Sequence, residues 1–110
     1  MINKQDVIEM NKQFDKGRLV NESSLDFAFS NLQDTKDWLK KSAYLTRAIL
    51  IDHVFEEGNK RTAALLIRSI LEMQNLAYDP QKIDALVITI LKKNITDVNE
   101  IKRLIKNAIR

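Results

Sequence analysis

Apolar residues recur at helical spacing along almost the whole chain, and no stretch alternates strictly between apolar and polar residues for the length of a strand. This pattern predicts an all-α fold of about six helices. They are expected at about residues 4–16, from about 23 onward, at 35–52, at 59–75, from 80 onward and at 97–109. The helix at 59–75 is the most apolar, so we expect a compact bundle arranged around it.

Several residues mark the expected ends of these helices. Gly17 is a suitable left-handed cap for the first helix. Ser23 or Ser24 is expected to cap the second through its hydroxyl. Asp79 followed by Pro80 is typical of a helix start, with the aspartate as cap and the proline at the first helical position. Between the first two helices, residues 17–22 form a short connector that we expect to be extended.

Composition narrows the class of protein. At 110 residues, with 45% hydrophobic and 30% charged residues and only two glycines and one proline, the chain is expected to form a single domain over residues 1–110. It has no apolar run near the length of a membrane span and no secretory signal, which predicts a cytoplasmic protein without a membrane partner. Without cysteine it has no disulfide or thiol nucleophile, and with one histidine a transition-metal site is hard to build. Carboxylates that bind magnesium stay possible.

Positive charge concentrates near the C-terminus, where residues 92–110 hold six Lys or Arg against two acids. Such a segment could contact nucleic acid or an acidic partner. Solvated lysines on the outer face of an amphipathic helix are far commoner, so binding to nucleic acid is not expected.

The segment His53-Val-Phe-Glu-Glu-Gly-Asn-Lys-Arg61 contains residues that core packing does not require. Gly58 and Asn59 can adopt positive φ, so a tight turn there can direct backbone N–H groups to one point at the start of the next helix. A helix N-terminus attracts anions, most plausibly phosphate. Lys60 and Arg61 add two positive charges beside it.

Two further side chains complete a set suited to phosphoryl or nucleotidyl transfer. Glu57 is a single carboxylate of the kind that holds magnesium together with phosphate oxygens and water. His53 is the candidate general base, because imidazoles titrate near neutral pH and can accept a proton from an attacking hydroxyl.

The segment resembles the signature of the Fic/Doc superfamily, His-x-Phe-x-acid-Gly-Asn-x-Arg. Every defined position is filled in order, and the stretch Leu25-Asp26-Phe27-Ala28 is also similar to Doc-type members. The resemblance implies a Fic/Doc-like helical core with this segment between two helices. It also implies site roles, in which His53 is the general base and Glu57 holds magnesium. Gly58, Asn59, Lys60 and Arg61 would bind the nucleotide's phosphates, and Phe55 would anchor the loop in the core.

Two positions resemble the Doc-type branch. Lys60 stands where AMP-transferring members have a second glycine, and Ala64 where they have a second arginine. In Doc-type toxins the nucleotide is reversed, so that a phosphate rather than AMP is transferred, with translation elongation factor Tu as target class. The resemblance thus implies a toxin that uses ATP, or another nucleoside triphosphate, with magnesium, and that is controlled by a small antitoxin protein. Gly58 departs from this branch, which usually has alanine there.

Two other interpretations stay open. One is AMP transfer to a protein hydroxyl, which the glycine at position 58 favours. The other is a non-catalytic helical module that binds nucleic acid or protein through the basic C-terminal helix. Some AMP-transferring members are self-inhibited by a helix whose glutamate pairs with the second arginine. Residues 96–100 match the first five positions of that motif, but Ile101 breaks it and the arginine is absent, so Glu100 is expected to be solvated.

Overall fold

The observed helices follow the apolar spacing of the sequence. A computed structural model describes residues 2–110 and contains six helices. These are α1 (Lys4–Lys12), α2 (Glu22–Asn31), α3 (Trp38–Leu50), α4 (Asn59–Met73), α5 (Pro80–Lys93) and α6 (Val98–Asn107). Within residues 2–110 there is no β-strand, and the only β-type pairings are two isolated bridges. The all-α prediction is confirmed.

One cluster of buried apolar side chains draws on all six helices. α4 packs against α1, α3 and α5, while α3 packs against α2, α4, α5 and α6. The two helices with the most buried residues, α3 and α4, therefore share the centre of the bundle. The segment that joins them, residues 51–58, contributes Val54 and Phe55 to the core.

Helix α1 is shorter than predicted. It ends at Lys12, after which the N–H groups of Gln13 and Phe14 donate to the carbonyls three residues earlier, those of Met10 (3.2 Å) and Asn11 (2.9 Å), as in a tightened last turn. Gly17 does adopt the left-handed conformation, with φ +71°, but it lies five residues beyond the helix end.

The prediction that Ser23 or Ser24 caps α2 is wrong. Asn21 occupies the N-cap position and no side chain caps the helix there. Ser24 instead donates its hydroxyl to the carboxylate of Asp52. Helix α3 starts later than predicted, at Trp38, because the carboxylate of Asp37 caps it.

The start of α5 is as predicted, since Asp79 caps it and Pro80 is its first residue. Among residues 2–110, no helix combines the length and the apolar character that crossing a bilayer requires.

Candidate functional site

The loop between α3 and α4 is held by the connector between α1 and α2. The N–H groups of Val20 and Asn21 donate to the carbonyl of Val54 (2.9 and 3.1 Å), and the N–H of Glu56 donates to the carbonyl of Arg18 (3.0 Å). The connector is therefore paired with the loop through Arg18, Val20 and Asn21, whereas Glu22, the last residue of the connector predicted from the sequence, already begins α2. We call residues 53–58 the motif loop.

His53 lies at the start of the motif loop with an exposed side chain. Its φ is +55°, a left-handed value that is uncommon for a residue with a β-carbon. The carbonyls of the residues before and after His53 both accept hydrogen bonds. That of Asp52 accepts one from the side-chain amide of Asn21 (2.7 Å), and that of Val54 accepts the two backbone bonds given above. Strained backbone of this kind persists where surrounding contacts determine it, and it concentrates at functional sites.

Phe55 and Asn59 close the motif loop on itself. The phenyl ring of Phe55 is fully buried, which is where an anchor would lie. The Asn59 side chain accepts a hydrogen bond from the Phe55 N–H (3.0 Å) and donates to the Phe55 carbonyl (2.8 Å). Asn59 is 7% exposed, so only its backbone N–H is free to meet a ligand. It is the first residue of α4, and the positive φ considered for it from the sequence is absent.

Gly58 provides the left-handed turn that the sequence predicted, with φ +78°, and is the N-cap of α4. A β-carbon added here would lie 3.2 Å from the Asn11 side-chain nitrogen. The backbone conformation and this close contact both favour glycine. The identity of residue 58 is thus explained by local geometry.

The N-terminus of α4 is open. No side chain caps it, and its first turn contains no acidic residue. The N–H groups of Gly58, Asn59, Lys60 and Arg61 make no hydrogen bond with any part of the chain that the structure describes. Free N–H groups and the positive end of the helix dipole together form a site for an anion.

Two cations stand beside this open end. Lys60 and Arg61 are exposed, and neither has an ion-pair partner within residues 2–110. Both line a cleft of about 300 Å³ between α4 and α5. The remaining lining residues are Phe14, Ala64, Leu65, Arg68, Asp84, Val87 and Ile88.

Ala64 and Arg68 line this cleft further along α4. Ala64 leaves room where a longer side chain would fill the space. Arg68, one turn later, donates to the Asp84 carboxylate at 2.8 Å, so it is already occupied by α5. The Arg68 guanidinium therefore does not take the place of the second arginine that AMP-transferring members have at the position of Ala64.

The acids of the motif loop differ in their surroundings. The carboxylate of Glu57 is exposed and makes no hydrogen bond or ion pair with the described residues, whereas that of Glu56 pairs with Arg18 at 3.6 Å. Across residues 2–110, no three acidic or histidine side chains converge to hold a metal by themselves. The arrangement fits magnesium held by one carboxylate together with phosphate oxygens and water, which is a common form of magnesium site.

Asn11 belongs to the site although the sequence analysis did not select it. Its side chain is 0% exposed and hydrogen-bonds to three partners, namely the carbonyl of Glu57 (2.9 Å), the hydroxyl of Thr62 (3.1 Å) and the N–H of Gly17 (2.8 Å). The feature of the sequence that could have identified Asn11 is its spacing, since position 11 follows the buried Val7 by four residues on the core face of α1. A polar residue on such a face requires buried partners.

Glu100 lies away from this site on its own helix. It pairs with Arg103 on α6, and the guanidinium holds the pKa of the Glu100 carboxyl below its usual range. This is the solvated arrangement that the sequence favoured.

Another cavity, of about 520 Å³, is lined by Ile70, Met73 and Gln74 at the other end of α4, together with Trp38 and Phe29. It contains none of the motif residues. Of these two cavities, the cleft of about 300 Å³ is the one that Lys60 and Arg61 line.

Comparison with known families agrees with this geometry. The family model described as Fic/DOC family matches residues 2–71, which is more than half of the chain and includes the whole motif loop and most of α4. Searches of curated proteins and of solved structures find no match. The chain belongs to the Fic/DOC family.

Proposed function

We propose that the protein transfers the terminal phosphate of a nucleoside triphosphate to a hydroxyl of a target protein, as a Doc-like toxin. One observation carries the proposal. Within residues 2–110, the N-terminus of α4 has no side-chain cap and has two cations without ion-pair partners, and an exposed histidine in strained backbone precedes it by five residues in sequence. Members of this family generally transfer nucleotidyl or phosphate groups to proteins.

In this mechanism the N–H groups of Gly58 and Asn59 bind the transferred group, and Arg61 and Lys60 bind the neighbouring phosphates. Preorganised donors of this kind stabilise the negative charge of the transition state without reorganisation. His53 accepts the proton of the attacking hydroxyl. The hydroxyl oxygen bonds to the terminal phosphorus, and the bond from that phosphorus to the bridging oxygen breaks, so that a nucleoside diphosphate leaves.

Glu57 is the residue that would hold magnesium. The ion neutralises the polyphosphate and orients it when bound. The neighbouring Glu56 is paired with Arg18, and this makes it the natural comparison for a test of which acid holds the metal.

The choice of phosphate over AMP rests on positions 60 and 64. Lys60 and Ala64 match the Doc-type branch, and in the cleft that Ala64 lines, Arg68 is paired with Asp84. The glycine at position 58 is the residue that favours AMP transfer. Its φ of +78° and the nearby Asn11 side chain favour glycine for local structural reasons, which weakens that argument.

The target is proposed to be a translation factor of the elongation factor class, and control is proposed to come from a small antitoxin protein. Glu100, the glutamate of the partial inhibitory motif, pairs with Arg103 on its own helix, and position 64 lacks the arginine with which such a glutamate would pair. Both observations support inhibition by a separate protein.

The test is incubation of the protein with ATP, magnesium and a cell lysate, followed by mass spectrometry of modified proteins. A phosphate-sized addition that His53→Ala abolishes supports the proposal, because loss of a general base lowers the rate by about 10²- to 10⁴-fold. A nucleotidyl-sized addition would instead establish AMP transfer.

The matched variants Glu57→Gln and Glu56→Gln test the metal role. We expect the first to raise the magnesium concentration needed for half-maximal transfer and the second to leave it unchanged. If wild type and His53→Ala give identical spectra while the protein binds DNA with a steep salt dependence, the non-catalytic module is the correct function.

A further inference from the structure

Asn11 is a buried polar residue whose three hydrogen bonds all serve the motif loop, its connector or the first turn of α4. Its amide nitrogen donates to the carbonyl of Glu57 and to the hydroxyl of Thr62. That hydroxyl in turn donates to the carbonyl of Gly58 at 2.8 Å. Asn11 thus fixes the Glu57 carbonyl directly, and through the Thr62 hydroxyl it contributes to holding the Gly58 carbonyl, which also accepts the backbone N–H of Thr62 at 2.9 Å.

These two carbonyls belong to the peptide groups that join Glu57 to Gly58 and Gly58 to Asn59. A trans peptide group is planar, and its C=O and N–H point in opposite directions. A carbonyl that is held toward the protein interior therefore directs the N–H of the next residue outward. The N–H groups concerned are those of Gly58 and Asn59, which have no partner within residues 2–110.

We propose that Asn11 is a positioning residue that aims the N–H groups of Gly58 and Asn59 at the phosphate of the donor. The inference rests on the proposed function, because it concerns the same phosphate site. It assigns to α1 a part in group transfer that the residues of the motif loop do not supply. Asn11 touches no substrate and acts only through the two peptide groups.

Two variants separate the two hydrogen bonds that the Asn11 amide nitrogen donates. Asn11→Ser removes the amide nitrogen that donates to the Glu57 carbonyl and to the Thr62 hydroxyl. Thr62→Val removes only that hydroxyl and leaves the Thr62 N–H bonded to the Gly58 carbonyl. We therefore expect the first variant to disturb mainly the N–H of Gly58, and the second to disturb only that of Asn59, and more weakly. Thr46→Val is the matched control, since the Thr46 hydroxyl is also buried but has no hydrogen-bond partner.

The experiment is titration of the ¹⁵N-labelled full chain with magnesium pyrophosphate, followed through the amide signals of Gly58 and Asn59. In the wild type and in Thr46→Val, we expect both signals to move with the same Kd. In Asn11→Ser, the Kd should rise about tenfold or more, because hydrogen bonds to a charged group are lost, and the Gly58 response should shrink. In Thr62→Val, the Asn59 response should shrink while that of Gly58 persists.

The outcomes separate the inference from the function. If the wild-type amides do not respond to pyrophosphate, the phosphate site itself is absent, and the proposed function fails together with the inference. If the wild type responds and both folded variants respond with the same Kd and the same shifts, only the role of Asn11 is overturned. Should Asn11→Ser fail to fold, Thr62→Val alone decides, since a merely structural residue would not change the response of one amide selectively.

Discussion

The N-termini of α4 and α6 are built in opposite ways. At α6, the Asp97 carboxylate caps the helix and Glu100 adds negative charge in the first turn, so the positive end of the dipole is neutralised. At α4, the N-cap is a glycine without a side chain, and the first turn contains Lys60 and Arg61. The capped and acidic N-terminus stabilises α6, whereas the uncapped and basic N-terminus destabilises α4 until an anion binds there.

The other helices make the contrast stronger. Asn3, Asp37 and Asp79 cap α1, α3 and α5 through their side chains, and α2 has Glu22 in its first turn. The chain therefore neutralises the helix ends that serve only the fold and leaves α4 open. We infer that the missing cap at α4 is maintained for ligand binding. The predictions below test that difference between α4 and α6.

Among the variants that compare α4 with α6, the largest effect is expected from removing an arginine at the open end. Arg61→Ala should lower kcat/KM for transfer about 10²-fold or more, because a donor that stabilises the transition state is lost. The stability of this variant should not fall, since the side chain is exposed and unpaired within the described residues and its charge is unfavourable at the positive end of the helix. Transfer of label from the terminal phosphate of ATP to lysate protein measures the first effect, and thermal unfolding measures the second.

The control for Arg61 is Arg103→Ala on α6. That guanidinium forms only an exposed pair with Glu100, and such pairs contribute little stability. We expect neither activity nor stability to change by much. Equal activity losses in the two variants would mean that the open end of α4 has no special role.

A smaller effect, on stability alone, is expected at the capped end. Asp97→Ala should lower the free energy of unfolding by about 1 kcal/mol, because the N–H of Asn99 loses its acceptor. Transfer activity should be retained. Urea unfolding provides the measurement, and Asp79→Ala on α5 should behave alike. A strong loss of transfer in Asp97→Ala would place α6 in the functional site and contradict the comparison.

Much of this architecture is readable from local patterns. The six helices follow from apolar spacing, and the start of α5 from the Asp79-Pro80 pair, because each depends on residues adjacent in sequence. The left-handed turn at Gly58 is predictable for the same reason. The end of α1 was less predictable, since the hydrogen bonds of Gln13 and Phe14 to carbonyls three residues earlier are not visible in the apolar spacing.

The parts of the site that escaped prediction depend on contacts between distant segments. The Asn11 amide reaches Glu57 across 46 positions, and the connector binds Val54 through backbone groups that carry no side-chain signal. From the sequence, Asn59 was predicted to form part of the phosphate-binding turn. In the structure its side chain closes the loop on Phe55, a role that only the folded loop defines.

The smallest expected effect is also the most direct test of the comparison. Lys60→Gln should raise the free energy of unfolding by about 0.3–1 kcal/mol at low salt in the absence of ligand, because it removes a positive charge from the positive end of a helix. Lys106→Gln should lower it by a similar amount, since Lys106 lies in the last turn of α6, where a cation is favourable. Glutamine and lysine have similar helix propensities, so the charge is the main difference. Urea unfolding at low ionic strength should show the opposite signs, and both differences should shrink in 1 M salt, where the Debye length falls to about 3 Å. If both variants lose stability equally, Lys60 stabilises the ligand-free protein. The positive charge at the N-terminus of α4 would then not lower its stability.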